Sequence, residues 1–376
     1  MTPFPHRFAV ASLVLTLLSA CASSREEDSS TRSSPQPLQQ LVVQSKVCGA
    51  AVAVIRQHAL RSVTTASGCP GWATPSPDSL FQAASLGKPL FAYAVLKLAR
   101  EGVLDLDAPV MRYLPHGYRH AFDPLRPDRD GKTDDVADPR LEAVTIRMLL
   151  QHTAGLPNWS SGPLRFEGTP GLRWSYSGEG YVLLQRAVEA IMSQPLEAIM
   201  RDRVFRPLGM TRSSCVWTPS VQEALIPGAK VNGAPREAWP LKQGVAAFSL
   251  YTTAEDYAHF VLAVLTDREL LQTIELAPID VDADLNLAWG MGWGIERTSS
   301  GRYLWQWGNN PGYRAFVMLR PASGDAVILL SSGEGGLSIA KPVVQNALPD
   351  EHRVFQWSML QPDGLDLMCR YVLLCL

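Results

Sequence analysis

What most constrains this chain is where its strand-forming runs fall. One pair lies near the start, in GAAVAVIRQHALRSVTTASG over 49–68, where two β-rich runs flank a turn near Arg56 to Ala59. Others lie near the end, in YLWQWGNNPGYRAFVMLRPASGDAVILLSSG over 303–333, separated by Gly, Pro and Asn turns. Between these ends the apolar residues keep helical spacing. FQAASLGKPLFAYAVLKLAR over 81–100 places Leu90, Phe91, Ala94, Val95 and Leu98 on one face, and Gly102 closes it. VTIRMLLQHTAGLP reads as a short helix stopped by Gly155 and Pro157, and GYVLLQRAVEAIM puts Tyr181, Leu184, Val188 and Ile191 on one stripe. TTAEDYAHFVLAVL opens with a capping box, Thr252 with Glu255, and LSIAKPVVQNAL reads as a final helix. The pattern predicts one mixed sheet fed from both ends of the chain, with a helical insertion between. His116 to Arg140 is rich in Pro, Asp and Arg without periodicity, so at that length it is a mobile or a functional loop.

The first twenty residues are separate from this body. Arg7 is followed by the apolar run FAVASLVLTLLSA, too short to span a bilayer but shaped as a secretory signal. Leu18-Ser19-Ala20-Cys21 resembles a bacterial lipobox, in which Cys21 is acylated. Ala22 after it resembles the signal for sorting to the periplasmic face of an outer membrane, in a cell that has one. Residues 21–44 are polar, Ser- and Pro-rich at first, and read as a flexible tether. The catalytic body is expected over 45–358 and a separate tail over 359–376. The charge of -2, with no basic block, argues against nucleic acid as a partner. Export permits disulfides. Of the five cysteines beyond Cys21, Cys48 and Cys69 would face each other across the first hairpin and are expected to be bridged, leaving Cys215, Cys369 and Cys375 with at least one unpaired.

Ser85 and Lys88 project from the same turn at a helix start. A serine hydroxyl needs a base to attack, and a lysine serves as one only when its ammonium is desolvated or set near other cations. Pro89 sits where a missing N–H costs least. The helix-start orientation also aims the Ser85 N–H toward an incoming oxyanion. Standing alone, the pair reads more readily as a cap and a solvated lysine than as a nucleophile and its base. His116 and His120 lie in a Pro-rich segment with no ligand signature, so neither zinc nor any other metal or cofactor is expected. His152 reads as a structural histidine. The absence of G-x-S-x-G argues against an α/β-hydrolase.

FQAASLGKPLFAYAVLKLAREGVLDLDAPVMRYLP, VTIRMLLQHTAGLP, GLRWSYSGEGYVLL and VFRPLGMTRSS, in this order and spacing, resemble the serine β-lactamase, penicillin-binding-protein and esterase superfamily on its class C-like branch. The resemblance runs from about Val47 to about Trp357. It implies an α+β fold of the β-lactamase/DD-peptidase type, with an antiparallel sheet flanked by helices (about 45–115 and 240–358) and an inserted helical subdomain (about 116–239), the site lying between them. It makes Ser85 the nucleophile, Lys88 its base and Tyr176 a proton relay. The third motif of the superfamily falls on Gln306-Trp307-Gly308, with the N–H of Asn309 as second oxyanion donor beside that of Ser85. Two departures stand out. Gly178 replaces the asparagine that binds a substrate amide, and Gln306 replaces the Lys or His that attracts a carboxylate, although Arg314 could supply that charge. Gly178, Gln306, Trp307, Gly308 and Arg314 are therefore the expected substrate-contacting set. The expected function is an exported lipoprotein serine hydrolase acting through an acyl-enzyme on small ester, amide or peptide substrates, with carboxylic esters or small cell-wall-related amides favoured. A true β-lactamase or D-Ala-D-Ala carboxypeptidase, and a non-catalytic binding lipoprotein on the same fold, stay open.

Overall fold

A computed structural model describes residues 36–123 and 131–361. Cys21 and the signal, the tether up to residue 35, and the tail from residue 362 with Cys369 and Cys375 lie outside the described residues. The chain enters through α1 (Leu38–Gln44), which belongs to the body and not to the tether, because Leu41 and Val42 are buried against the sheet. The hairpin β1 (Gly49–Arg56) and β2 (Ala59–Ala66) turns through Gln57 and His58, both at positive φ. A disulfide joins Cys48 to Cys69 at its open end. Next come β3 (Phe81–Ala84) and the long helix α2 (Gly87–Arg100).

The middle of the chain is helical, with one small hairpin inside the Pro-rich loop, β4 (Arg119–Ala121) with β5 (Thr133–Asp135). Its helices are α3 (Ile146–Leu150), α4 (Gly178–Met192), α5 (Leu196–Met200), α6 (Arg206–Leu208) and α7 (Pro219–Ala224). Helix α3 stops before Gly155, because His152 already takes a left-handed conformation at φ 57°. A second small pair, β6 (Gly228–Ala229) with β7 (Pro235–Arg236), leads back toward β8 (Leu250–Thr252), which pairs with β3. Helix α8 (Ala254–Thr266) is capped by Thr253, one residue later than expected, whose hydroxyl accepts from the Asp256 N–H. Then follow α9 (Arg268–Ile274), β9 (Ile279–Asp282), β10 (Leu287–Trp289), β11 (Gly294–Thr298), β12 (Gly301–Asn310), β13 (Tyr313–Arg320), β14 (Asp325–Ser332) and α10 (Ala340–Ala347).

The main sheet has the order β2-β1-β14-β13-β12-β11-β10-β9 and is antiparallel throughout. Strand β1 pairs with β14, Gly49 opposite Ser332 and Ile55 opposite Ala326, so the two ends of the chain share one ladder. Both faces are covered. Ala51, Ala53, Val317, Ile328 and Leu330 join a core that includes residues of α2, α4 and α8, while Val52, Phe316, Met318, Val327 and Leu329 join a second core with α1 and α10. Two-sided burial explains why β13 and β14 read as nearly unbroken apolar runs instead of alternating ones.

Candidate active site

The nucleophile candidate sits at a strained corner. Ala84, the residue before Ser85, has φ 51°, where a side chain is disfavoured, at an irregularity in the β3–β8 pairing. The chain then turns into α2, and Lys88 points back from its first turn. The Lys88 Nζ lies 2.9 Å from Ser85 Oγ and donates to the carbonyl of Ala247 at 2.8 Å. Ser85 Oγ is also 3.3 Å from that carbonyl. Lys88 is 1% exposed and no carboxylate pairs with it among the described residues. Burial alone therefore lowers its pKa to about 7.

Tyr176 closes the third side. Its ring centroid is 4.8 Å from Lys88 Nζ, and its hydroxyl sits beside Ser85 and Gln306 without completing a well-formed hydrogen bond to either. Burial pushes this phenol well above its ordinary range, against the smaller opposing effects of Ser85 and Gln306, so it carries its proton at neutral pH. The Trp307 ring packs against it at a tilt, 4.8 Å between centroids, and is itself backed by Trp357 at 5.2 Å.

The oxyanion donors follow from the ladder. Strand β12 pairs with β11 only as far as Trp305, so 306–310 keep one open edge while pairing with β13. The Trp307 N–H donates to Gln306 Oε1, away from the β13 partner. Directions repeat every second residue, so the N–H of Asn309 also leaves through the open edge. Ser85 and Asn309 both line the same cleft, and the Ser85 N–H makes no backbone hydrogen bond among the described residues. Gly308 is what lets the strands meet here, since a Cβ on it would stand 2.3 Å from the Ala83 carbonyl oxygen.

Other expected contacts are placed differently. Gly178 does not face the cleft. Its N–H donates to the backbone and side-chain oxygens of Asn158, each at 3.0 Å, and a Cβ on it would stand 2.5 Å from the Trp159 ring. Gln306 is fully buried beneath Tyr176. Arg314 is a correction: it is ion-paired with Glu334 and donates to the carbonyls of Asn310 and Tyr313, so its charge is committed away from the cleft.

The sequence reading missed several residues. Ala247 contributes only a carbonyl, which leaves no sequence signal. His152 is in contact with the site, its ring 4.4 Å from that of Tyr176. Burial, and then the nearby Lys88, hold it well below the ordinary histidine value. Its Nδ1 accepts from the Ser177 N–H at 3.1 Å, so the proton of this neutral ring is on Nε2. The cleft, of about 590 Å³, is walled by Trp159, Trp239, Phe248, Trp307 and Met359, with Asn158 and Asp123 at its polar side. Among the described residues no group of three or more His, Cys, Asp or Glu is arranged to hold a metal.

Comparison with known proteins gives the same direction. The sequence matches the family described as Beta-lactamase over residues 36–346. It is 33% identical over 195 residues to Esterase EstB of Burkholderia gladioli, covering 43% of this chain and 45% of that one. It is 25% identical over 309 residues to Penicillin-binding protein 4 of Amycolatopsis lactamdurans, covering 68% and 73%. Thus the chain spans less than half the length of several of its curated relatives. The Beta-lactamase/D-alanine Carboxypeptidase from Yersinia pestis shares the fold at TM-score 0.64 and 20% identity, covering 82% of this chain and 97% of that one.

Restoring the asparagine should fail sterically. Gly178→Asn is expected to lower stability by ~1–3 kcal/mol through overpacking against Trp159, and the cost should shrink in the Trp159→Ala background. A denaturant double-mutant cycle measures both.

Proposed function

This chain belongs to the β-lactamase family, and from that premise we propose that it is a serine hydrolase that forms an acyl-serine intermediate on carboxylic esters with a bulky apolar or aromatic group. The observation that carries this reading is the buried, unpaired Lys88 amine 2.9 Å from Ser85 Oγ. In its neutral form the amine donates to Ala247 and accepts the Ser85 proton.

The steps follow from the geometry. Ser85 Oγ attacks the ester carbonyl carbon as its proton passes to Lys88, and the N–H groups of Ser85 and Asn309 hold the oxyanion. When the intermediate collapses, the C–O bond to the alcohol breaks and the leaving oxygen takes a proton from Tyr176, which recovers one from Lys88. A water then attacks the acyl carbon, its proton passing through Tyr176 to Lys88. Collapse of the second intermediate breaks the bond to Ser85, which takes a proton back, and the acid departs.

The preference for esters rests on the cleft. Among the described residues that line it, the one charged side chain is Asp123, and the walls are aromatic. A substrate carboxylate would meet a like charge there and no cation, whereas an apolar acyl or alcohol group would bury surface against Trp159, Trp239 and Phe248. The relative described as Esterase EstB supports the same reading. The small-amide, β-lactamase and D-Ala-D-Ala carboxypeptidase readings lose ground for lack of a carboxylate-binding cation among the described residues that line the cleft. We further propose that the protein is exported and held at a membrane through acyl groups on Cys21. Support comes from the lipobox-like LSAC sequence and from the Cys48–Cys69 disulfide, which needs an oxidising compartment.

Ser85→Ala is expected to lower hydrolysis of a p-nitrophenyl ester on the order of a thousandfold or more and to abolish labelling by a fluorophosphonate. Retained turnover would sink the mechanism, and rapid nitrocefin hydrolysis by the native protein would move the reading to a β-lactamase. Because Lys88 acts as a base and its pKa is lowered to about 7, kcat should rise as pH rises through that value, in a single-proton step, and level off above it. A profile flat across neutrality would count against Lys88. Cys21→Ser should move the expressed protein from the detergent phase to the aqueous phase on phase separation, and an unchanged distribution would remove the anchor.

A further inference from the structure

One buried charged cluster takes no part in the chemistry above. His120 of β4 is fully buried, with its Nδ1 2.9 Å from Oδ1 of Asp134 on β5 and its Nε2 3.3 Å from Oε2 of Glu179 in the first turn of α4. Nδ1 is hydrogen-bonded to Asp134, while Nε2 stands at ion-pair distance from Glu179 without completing a well-formed hydrogen bond; because carboxylates only accept, both are served together only when the imidazole is doubly protonated. His116, which shares its stretch of sequence, is exposed and has no part in this.

The other oxygens of the same two acids hold a neighbouring segment. Glu179 Oε1 accepts from the Ser160 N–H at 2.8 Å, and Asp134 Oδ2 accepts from the Leu164 N–H at 3.2 Å. Both ends of 160–164 thus hang on carboxylates that His120 bridges. Directly before this segment come Asn158 and Trp159, which line the cleft. The N–H of Glu179 reaches the Asn158 carbonyl at 3.1 Å, so the cluster grips that wall from two sides.

The geometry points to His120 as a positioning residue, an imidazolium clamp that fixes the Asn158–Trp159 wall of the cleft and releases it when its proton leaves. As a determinant of substrate binding, the clamp rests on the ester-hydrolase reading; as a structural device it does not.

Other groups around the ring fit the charged form. Burial by itself would lower the His120 pKa, but the adjoining Glu179 and Asp134 carboxylates outweigh it and leave the value raised. The ring of Phe122 stacks at 6.3 Å and carries no charge. Tyr118, directly before β4, is held in its phenol form by burial and by Glu179, with Arg186 of α4 opposing. A raised histidine value means that the clamp is closed below the ordinary histidine range and opens as pH rises through the higher, folded-state value. Opening leaves Glu179, itself fully buried, without its cation, and a buried unpaired carboxylate forces local rearrangement.

Two measurements test this. Nitrogen NMR of histidine-labelled protein, with the His120 signal identified by its loss in His120→Asn, should show a ring that stays doubly protonated above the ordinary histidine range. A neutral ring there overturns the clamp. In steady-state kinetics on a p-nitrophenyl ester, KM should rise on the alkaline side while kcat holds, because the wall touches substrate and not the reacting groups. Glu179→Gln keeps an acceptor for Ser160 but removes the charge, and should move that rise down by about one pH unit or more. His120→Lys should keep KM low further into alkaline buffer. A KM that does not depend on pH in the native protein, or a profile that Glu179→Gln leaves in place, overturns the proposal. If His120→Asn does not fold, the Glu179→Gln protein still decides by both readouts. If no variant hydrolyses the ester, the functional reading fails and the NMR result alone decides the clamp.

Discussion

The site depends on burying one lysine without a counter-charge. Moving the Lys88 pKa from its ordinary 10.5 to about 7 represents a bias against the ammonium on the order of 5 kcal/mol. A bias of that size is set by the packing around the amine, because no local contact removes the proton. Gly87 is required on one side, where a Cβ would stand 2.9 Å from the Ala246 carbonyl oxygen. On the other side the turn that presents Ala247 is fixed by Gln185 of α4, which bonds both Gly244 O and Ala246 N, and by Ser249, which receives the Val245 N–H. Helix α4 thus braces the candidate site from beneath, holding the carbonyl to which the amine donates.

The departures at positions 178 and 306 form one consistent arrangement. With a glycine at 178, Trp159 lies over the helix start and Asn158 takes both hydrogen bonds of the Gly178 N–H, so an apolar wall occupies the space a carboxamide would have used. With a glutamine at 306, the neighbourhood of Tyr176 gains a neutral hydrogen-bonding group. A second cation there would lower the phenol pKa and further discourage an ammonium on Lys88. The neutral residue leaves desolvation as the single dominant influence on both groups. It also leaves Trp307 free to pack against the tyrosine ring, with Trp357 behind it, inside the second core to which all three belong.

The sequence was most legible where geometry is local. Ser85 and Lys88 lie on one helical turn, and their proximity follows from the spacing alone. The first hairpin, the sheet shared between the chain ends and the Cys48–Cys69 juxtaposition follow from strand lengths and turn residues. It was least legible where a residue acts across the fold. Nothing in VAAFSL marks the Ala247 carbonyl as the partner of a lysine far upstream. Arg314 was a plausible cation for the cleft because it is near in sequence, yet β13 alternates its side chains and Glu334 captures this one. Tether composition hid α1, whose two buried residues have meaning only against a sheet made mostly from the other end of the chain.

Two buried bases show how one low-dielectric interior produces opposite protonation states. Lys88 and His120 are each almost wholly removed from solvent, and burial opposes the charge on both. Around Lys88 the neighbours are a carbonyl, a hydroxyl and aromatic rings, none carrying negative charge, so desolvation prevails and the amine becomes a base. Around His120 a carboxylate stands at each nitrogen, so the two acids together outweigh desolvation and raise the ring's pKa above the ordinary histidine value. Helix α4 connects the two, with Gln185 bracing the Ala247 turn and Glu179 receiving the imidazolium. Its first two turns therefore set the electrostatics of the reacting centre and the position of the wall that faces it. A helix with that double duty has little freedom in sequence where it meets the cleft: Gly178 because of Trp159, and Glu179 because an uncharged residue would leave the ring Asp134 alone to hold its proton.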